Sequence, residues 1–210
     1  TVECAFNSDP FTLEPSNSIF QYRSNSLLWQ KERLINLAAN RLPEICKYVA
    51  WIDCDVIFDN VNWAVDTCNL LSNGNRIVQL WDKCKLLDSQ YQIPDKTNSF
   101  TSFAAFLIKN PLLFNINFFE EHGHSGYGWA MHREIFKTIG LYEYAILGSA
   151  DHYMVHALVN DFAGSCLTKN ILNEQNQLLH IKSWGEKFYK EIDGKIGVVP
   201  GCIYHLWHGN

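Results

Sequence analysis

Two aspartates that follow a short apolar run have the residue type and spacing of a divalent-cation site. The apolar run Tyr48–Ile52 leads directly into Asp53-Cys54-Asp55. Because side chains alternate along a strand, Asp53 and Asp55 are expected on the same side, with Cys54 turned away. Carboxylate oxygens are the ligands that Mg²⁺ and Mn²⁺ prefer, particularly when diphosphate oxygens complete the shell. The competing interpretation is a pair of solvated loop acids, since Asp-x-Asp alone is common.

Two histidines, His205 and His208, offer imidazole ligands to the same cation. Imidazole suits Mn²⁺ and other transition metals better than it suits Mg²⁺. One of the two is therefore expected to be the third protein ligand. We favour His208, because the neighbouring Gly209 lets the backbone bend toward a site. The alternative is a pair of surface or packing histidines.

Two further segments could face a sugar. Gly128 and Trp129 place an aromatic ring beside a small residue, so the ring could lie against a sugar, although a core Trp beside turn glycines has the same pattern. Asp151 and His152 follow at a predicted helix start, and we expect both at the acceptor side. Asp151 is a candidate general base, and the alternative is that it caps the helix.

Two basic residues, Lys31 and Arg33, precede the aspartates on a predicted helix over 27–39. If this helix borders the site, a cation on it can contact a donor phosphate or the donor sugar. The alternative is that both charges belong to a solvated helix face.

Alternating strands and helices must position these residues. Helices are predicted over 27–39, 63–71, 132–139 and 150–159, and strands over 48–52, 76–81, 103–108 and 196–199. The alternation predicts an α/β fold with a Rossmann-like, mostly parallel central sheet flanked by helices. Tyr48–Ile52 is apolar on both faces and is expected to be a central strand. Ligands of such sheets bind outside the carboxyl ends of the strands, where the aspartates lie.

Composition and charge restrict the function classes. The chain has 210 residues, 47% hydrophobic and 19% charged, which predicts one ordinary globular domain. Its formal net charge of -5 argues against a nucleic-acid partner, and no apolar run is long enough to span a bilayer. The seven cysteines lack a Cys-x-x-Cys pair, so neither structural zinc nor a disulfide framework is expected. We predict a reducing, cytoplasmic location, which would be the host cytoplasm if the chain is viral.

Five motifs follow one another along the chain. They are Trp-Gln-Lys-Glu-Arg from position 29, Val-Ala-Trp-Ile-Asp-Cys-Asp-Val-Ile-Phe from 49, Gly-Tyr-Gly-Trp-Ala from 126, Gly-Ser-Ala-Asp-His from 148 and Val-Pro-Gly-Cys-Ile-Tyr-His-Leu-Trp-His-Gly from 199. This set resembles glycosyltransferases of the GT-A fold, and more narrowly a bacterial and viral group of them. The likeness runs from about residue 26 to residue 209.

The resemblance implies transfer of a hexose from a nucleotide-sugar donor, most often UDP-linked, to a glycan or glycoprotein with the help of Mn²⁺ or Mg²⁺. It implies that Asp53 and Asp55 contact the donor ribose and the cation. The nucleotide-sugar would lie in the half formed by residues 1–110, and the acceptor and the metal-ligand histidine in residues 111–210. Ser149-Ala150 stands where many inverting relatives carry additional acids, which leaves the stereochemical outcome open.

Two other functions are compatible with parts of this pattern. A metal-dependent nucleotidyltransferase would also use paired aspartates, but it is expected to carry a glycine-rich or basic phosphate loop near its first strand, and residues 7–11 provide neither. A non-catalytic carbohydrate-binding module would explain the 14% aromatic content and leave the aspartates unexplained.

Overall fold

The computed structural model describes residues 1–94, 99–111, 122–164, 167 and 175–209. Within these ranges the chain has a mixed α/β fold. Its strands are β1 (Val2–Phe6), β2 (Phe20–Ser24), β3 (Tyr48–Ile52), β4 (Val56–Phe58), β5 (Ile77–Gln79), β6 (Lys83–Leu86), β7 (Ser99–Thr101), β8 (Gly128–His132), β9 (Ile196–Val198) and β10 (Cys202–His205). Its helices are α1 (Lys31–Arg41), α2 (Trp63–Ser72), α3 (Phe103–Lys109), α4 (Arg133–Thr138), α5 (Ala150–Leu158) and α6 (Gln175–Ile192).

The strands form a parallel pair, β1-β2, and two four-stranded sheets with the orders β3-β8-β5-β9 and β4-β10-β6-β7. Both larger sheets are mixed. In the first, β8 runs antiparallel to β3 and to β5, and β5 and β9 are parallel. In the second, β10 is antiparallel to β4 and parallel to β6. The described strand pairs therefore do not form the mostly parallel central sheet that the sequence predicted.

Strand β3 has the predicted bounds but not the predicted place. It lies at one end of its sheet order, with β8 as its paired neighbour there, and Ala50 and Ile52 are exposed. An apolar run indicates that a strand prefers burial. It does not identify which strands will pair with it, so it does not fix the position of the strand in its sheet.

The segment 103–108, predicted to be a strand, is helical and belongs to α3. Ser102 adopts an extended backbone before the helix, and its hydroxyl accepts a hydrogen bond from the amide of Ala105 at 3.2 Å. Such a cap satisfies one of the free amides at a helix start. Short apolar runs fit strands and buried helices equally well, so the cap decided this element. The helices predicted over 132–139 and 150–159 are confirmed as α4 and α5.

The main core lies between the β3-containing sheet and helices α3 to α6. Its fully buried residues include Ile77, Trp129, Met131, Ile135 and Phe188. The two halves of the chain interleave here, because β8 and β9 pair with β3 and β5. No helix among the described residues has the length and apolar content needed to cross a membrane.

Candidate active site

A turn at the carboxyl end of β3 separates the two aspartates. The strand ends at Ile52, and Cys54 and Asp55 lie in the turn that leads into β4. The amide of Asp53 donates to the carbonyl of Tyr127 at 2.8 Å, which fixes the start of this turn. Strand alternation no longer applies beyond Ile52, so the two carboxylates engage different partners.

Asp55 lies with His205 and His208 in one group that could hold a cation. Nε2 of His205 is 3.3 Å from Oδ2 of Asp55, and Nε2 of His208 is 3.8 Å from the same oxygen. One ligand atom of each residue lies within 4.8 Å of the others. We call these three residues the cation group. Asp53 is not part of it.

Strand β10 positions both histidines. His205 ends the strand directly opposite Val56 of β4, which follows Asp55. The amide of Leu206 then donates to the carbonyl of Asp55 at 2.7 Å, so the chain turns and His208 returns to the same carboxylate. The ring of Tyr127 packs against His205, with centroids 4.8 Å apart.

The chemistry of the cation group fits a divalent cation. Oδ1 of Asp55 is buried and has no hydrogen-bond partner, which is costly for a carboxylate oxygen unless something positive binds it. One carboxylate and two imidazoles form a mixed oxygen and nitrogen set suited to a transition-metal dication such as Mn²⁺. Both histidines approach Asp55, whereas the sequence predicted one of them as the third ligand.

Asp53 faces a different region, which we call the main pocket. Its carboxylate forms an ion pair with Lys31 at the start of α1. Burial favours a lower pKa for Lys31, but the hydrogen bond to Asp53 and the charge of Asp53 outweigh it and raise the pKa. The pocket is lined by Trp29, Lys31, Glu32, Trp51, Asp53, Gly126, Tyr127, Gly128, Trp129, Leu141, Tyr142, Ser149, Ala150, Asp151 and Met154.

Asp151 lies in the first turn of α5 and is not its N-cap. The helix begins at Ala150, and the capping position is occupied by Ser149, whose backbone is left-handed with φ 67° and whose side chain makes no capping bond. The hydroxyl of Ser125 donates to Oδ2 of Asp151 at 3.0 Å. The carbonyl of Ser125 in turn accepts from Nε1 of Trp129 at 2.7 Å. The Asp151 carboxylate is thus held at the wall of the pocket.

Three residues predicted for the site are placed differently. Arg33 does not line the main pocket, because it pairs with Glu143 at 2.6 Å and its side chain is half exposed. His152 is buried beside other histidines behind the pocket wall. Trp129 borders the pocket but is fully buried in the core, so its ring face is not offered to a sugar.

Gly128 does border the main pocket, in a role that its lack of a side chain explains. A Cβ built at this position would lie 3.3 Å from a methyl carbon of Leu80, so a larger residue would crowd the sheet at the pocket. The predicted site residues Lys31, Asp53, Gly128 and Asp151 are therefore brought together around this pocket.

Sequence reasoning missed several residues of the pocket, and two of them, Trp29 and Glu32, have side chains suited to a ligand. Trp29 is 49% exposed at its rim, which makes its ring the available flat surface for a sugar. Glu32 also lines the pocket, and burial and the charge of Asp151 raise its pKa, against the opposing charge of Lys31. The signal for both was the motif that also contains Lys31: Trp29 directly precedes the helix cap, and Glu32 lies in the first turn of α1.

Comparison of the chain with models of known protein families, with curated proteins and with solved structures found no match.

Proposed function

We propose that this chain is a metal-dependent glycosyltransferase of the GT-A type that transfers a sugar, a UDP-linked hexose, from a nucleotide donor to a glycan or glycoprotein acceptor. One observation carries the proposal. The turn after β3 holds Asp55 in the cation group and Asp53 at the edge of a pocket that also contains Lys31 and Asp151. In this proposal the cation group would bind the diphosphate of the donor, and Asp151, which lines the same pocket as Asp53, would receive the acceptor hydroxyl.

The leaving group of such a reaction is a nucleoside diphosphate, whose developing negative charge must be stabilised. Asp55, His205 and His208 would hold a divalent cation, which would act as a Lewis acid on the diphosphate. Lys31 adds a positive charge beside Asp53 and can contact the same phosphates or the donor sugar. Mn²⁺ is preferred over Mg²⁺ in this proposal, because two of the three ligands are imidazoles.

The acceptor side of the reaction requires removal of a hydroxyl proton. Asp151 is the candidate base, and the hydrogen bond from Ser125 fixes one of its oxygens while the other remains for the acceptor. The exposed ring of Trp29 would lie against the apolar face of a sugar. Asp53 is proposed to accept a hydrogen bond from the donor ribose.

A panel of nucleotide sugars tests the proposal. The protein is incubated with UDP-, GDP-, ADP- and dTDP-linked sugars, with Mn²⁺, with Mg²⁺ or with a chelator, and nucleoside diphosphate is measured. We expect release from a UDP-sugar only with metal, and its loss in Asp55→Ala. The matched control is Asp193→Ala, which removes an exposed carboxylate that pairs with Lys195.

The alternative functions give different results when nucleoside triphosphates and glycans are tested beside the nucleotide sugars. A nucleotidyltransferase would release pyrophosphate from a nucleoside triphosphate and leave nucleotide sugars intact. A carbohydrate-binding module would bind glycans without any nucleotide release. Metal-independent release, or equal release by Asp55→Ala, would contradict the proposed role of the cation group.

A further inference from the structure

Three buried histidines lie together outside the site described above. His122, His152 and His156 are 5%, 7% and 3% exposed. One nitrogen of each ring lies within 4.8 Å of the others. The ring centroids are 5.4 Å apart for His122 and His152, and 4.7 Å apart for His152 and His156.

Two different segments bring these rings together. His152 and His156 are four residues apart on α5, so they project from the same face of the helix. His122 precedes β8, and its ring meets the ring of His156 nearly at a right angle with centroids 5.7 Å apart. The group therefore joins helix α5 to the segment that leads into the main pocket.

The hydrogen bonds of two rings favour one tautomer of each. Nδ1 of His156 lies 3.0 Å from Oδ2 of Asp161, so the nitrogen that donates to this carboxylate is Nδ1. Nε2 of His156 then carries a lone pair, and this atom is buried without a hydrogen-bond partner. Nδ1 of His122 lies 2.9 Å from the carbonyl of Gly123, which favours the same tautomer.

The carboxylate of Asp161 suits a ligand role for His156. A carboxylate bonded to the outer nitrogen of a ligand histidine, as Asp161 is to His156, orients the ring and increases its basicity.

We propose that His122, His152 and His156 form a second metal site that binds Zn²⁺. Imidazole nitrogens suit zinc, whereas Mg²⁺ and Ca²⁺ require oxygen ligands that this group does not provide. Structural zinc was not expected from the sequence, because the chain has no Cys-x-x-Cys pair. That expectation overlooked the four-residue spacing of His152 and His156 on a predicted helix.

Zinc in this site would restrain the two segments that carry Asp151 and Ser125 at the wall of the main pocket. Asp151 precedes His152 on α5, and Ser125, which donates to Asp151, lies three residues after His122. A metal bridging the two histidine-bearing segments would hold this hydrogen bond in place. The site is proposed to be structural, since its ligands are buried and do not line the pocket.

The test uses the full chain with the ligands of the cation group replaced, so that Zn²⁺ cannot bind there. The variant Asp55→Ala/His205→Ala/His208→Ala is unfolded with chelator, refolded and titrated with Zn²⁺. We expect one tightly bound Zn²⁺ per chain and a higher midpoint of thermal unfolding with Zn²⁺. Adding His156→Gln should weaken binding by more than the roughly 10–100-fold expected for Asp161→Asn, which removes the charge of the carboxylate bonded to His156. His180→Gln, an exposed histidine that contacts Tyr142, should leave Zn²⁺ affinity unchanged.

A second measurement keeps the test decisive if His156→Gln does not fold. Co²⁺ bound to the same starting variant should show the visible bands of a four-coordinate site with three imidazole nitrogens and one water, and no thiolate charge-transfer band, because the described cysteines are not part of the group. Three results would each overturn the proposal: no bound Zn²⁺ in the starting variant, undiminished binding in a folded His156→Gln protein, or a thiolate band with Co²⁺.

Discussion

Asp53 and Asp55 are separated by one residue, yet Asp53 pairs with Lys31 while Asp55 lies between His205 and His208. The turn after Ile52 produces this division, because it ends the strand before either carboxylate. The two aspartates therefore have separable roles in the proposed reaction, and single substitutions should affect different binding steps.

The two histidines of the cation group should contribute unequally to metal affinity. His205 is held in β10 with its side chain 15% exposed, whereas His208 follows the strand and its side chain is 65% exposed. We expect His205→Gln to weaken Mn²⁺ binding by at least about tenfold, or 1.4 kcal/mol, and His208→Gln to weaken it less. Calorimetric titration with Mn²⁺ measures both. A larger loss in His208→Gln would restore the order favoured from sequence.

Asp53 and Lys31 should affect the nucleotide more than the metal. Hydrogen bonds to charged groups contribute about 1.5–3 kcal/mol, so Asp53→Ala, which removes the acceptor, should weaken UDP binding by roughly 10–100-fold. Lys31→Met should also weaken it. The matched control is Arg33→Met, because Arg33 pairs with Glu143 and does not line the pocket. Titration with UDP at saturating Mn²⁺ measures the affinity of each variant. Equal losses of UDP affinity in Lys31→Met and Arg33→Met would contradict the proposed contact between Lys31 and the nucleotide.

Substitution of Asp151 should lower the rate of sugar transfer and change the free energy of unfolding only slightly. Since Ser149 holds the capping position, Asp151→Asn removes only the favourable charge of the first helical turn, about 0.3–1 kcal/mol of the free energy of unfolding. A general base contributes roughly 10²–10⁴-fold, so transfer should fall by at least about tenfold with UDP affinity retained. Ser125→Ala should give a smaller loss. Near-native transfer by folded Asp151→Asn would remove the base assignment.

Glu32 should make stability depend on pH in a defined direction. Burial and the charge of Asp151 raise its pKa above the ordinary value of 4.5. The folded protein therefore holds a proton that the unfolded chain releases, and stability falls as pH rises from 4.5 through the raised pKa. Urea unfolding of wild type and Glu32→Gln measures this: the stability of wild type relative to the variant should decline across the window. NMR titration should find a lower Glu32 pKa in Asp151→Asn, and an unchanged pKa would exclude the coupling.

Local patterns in the sequence determined the elements that carry the site. The run Tyr48–Ile52 forms β3 with the predicted bounds, and α4 and α5 form where helical spacing predicted them. These elements depend on preferences of neighbouring residues, which a sequence displays directly. The same reasoning failed at α3, where one capping hydroxyl decided between helix and strand.

The tertiary structure alone decided which of these residues meet. Strand β8 enters antiparallel between β3 and β5, and β10 brings His205 to Asp55 from 150 residues away along the chain. Arg33 was directed to Glu143 and Trp129 into the core, although both had the residue type for the pocket. Residue type and spacing indicate what chemistry a side chain can perform. The partners of a side chain are set by strand pairing and by packing between distant segments, and these contacts cannot be read from local spacing in the sequence.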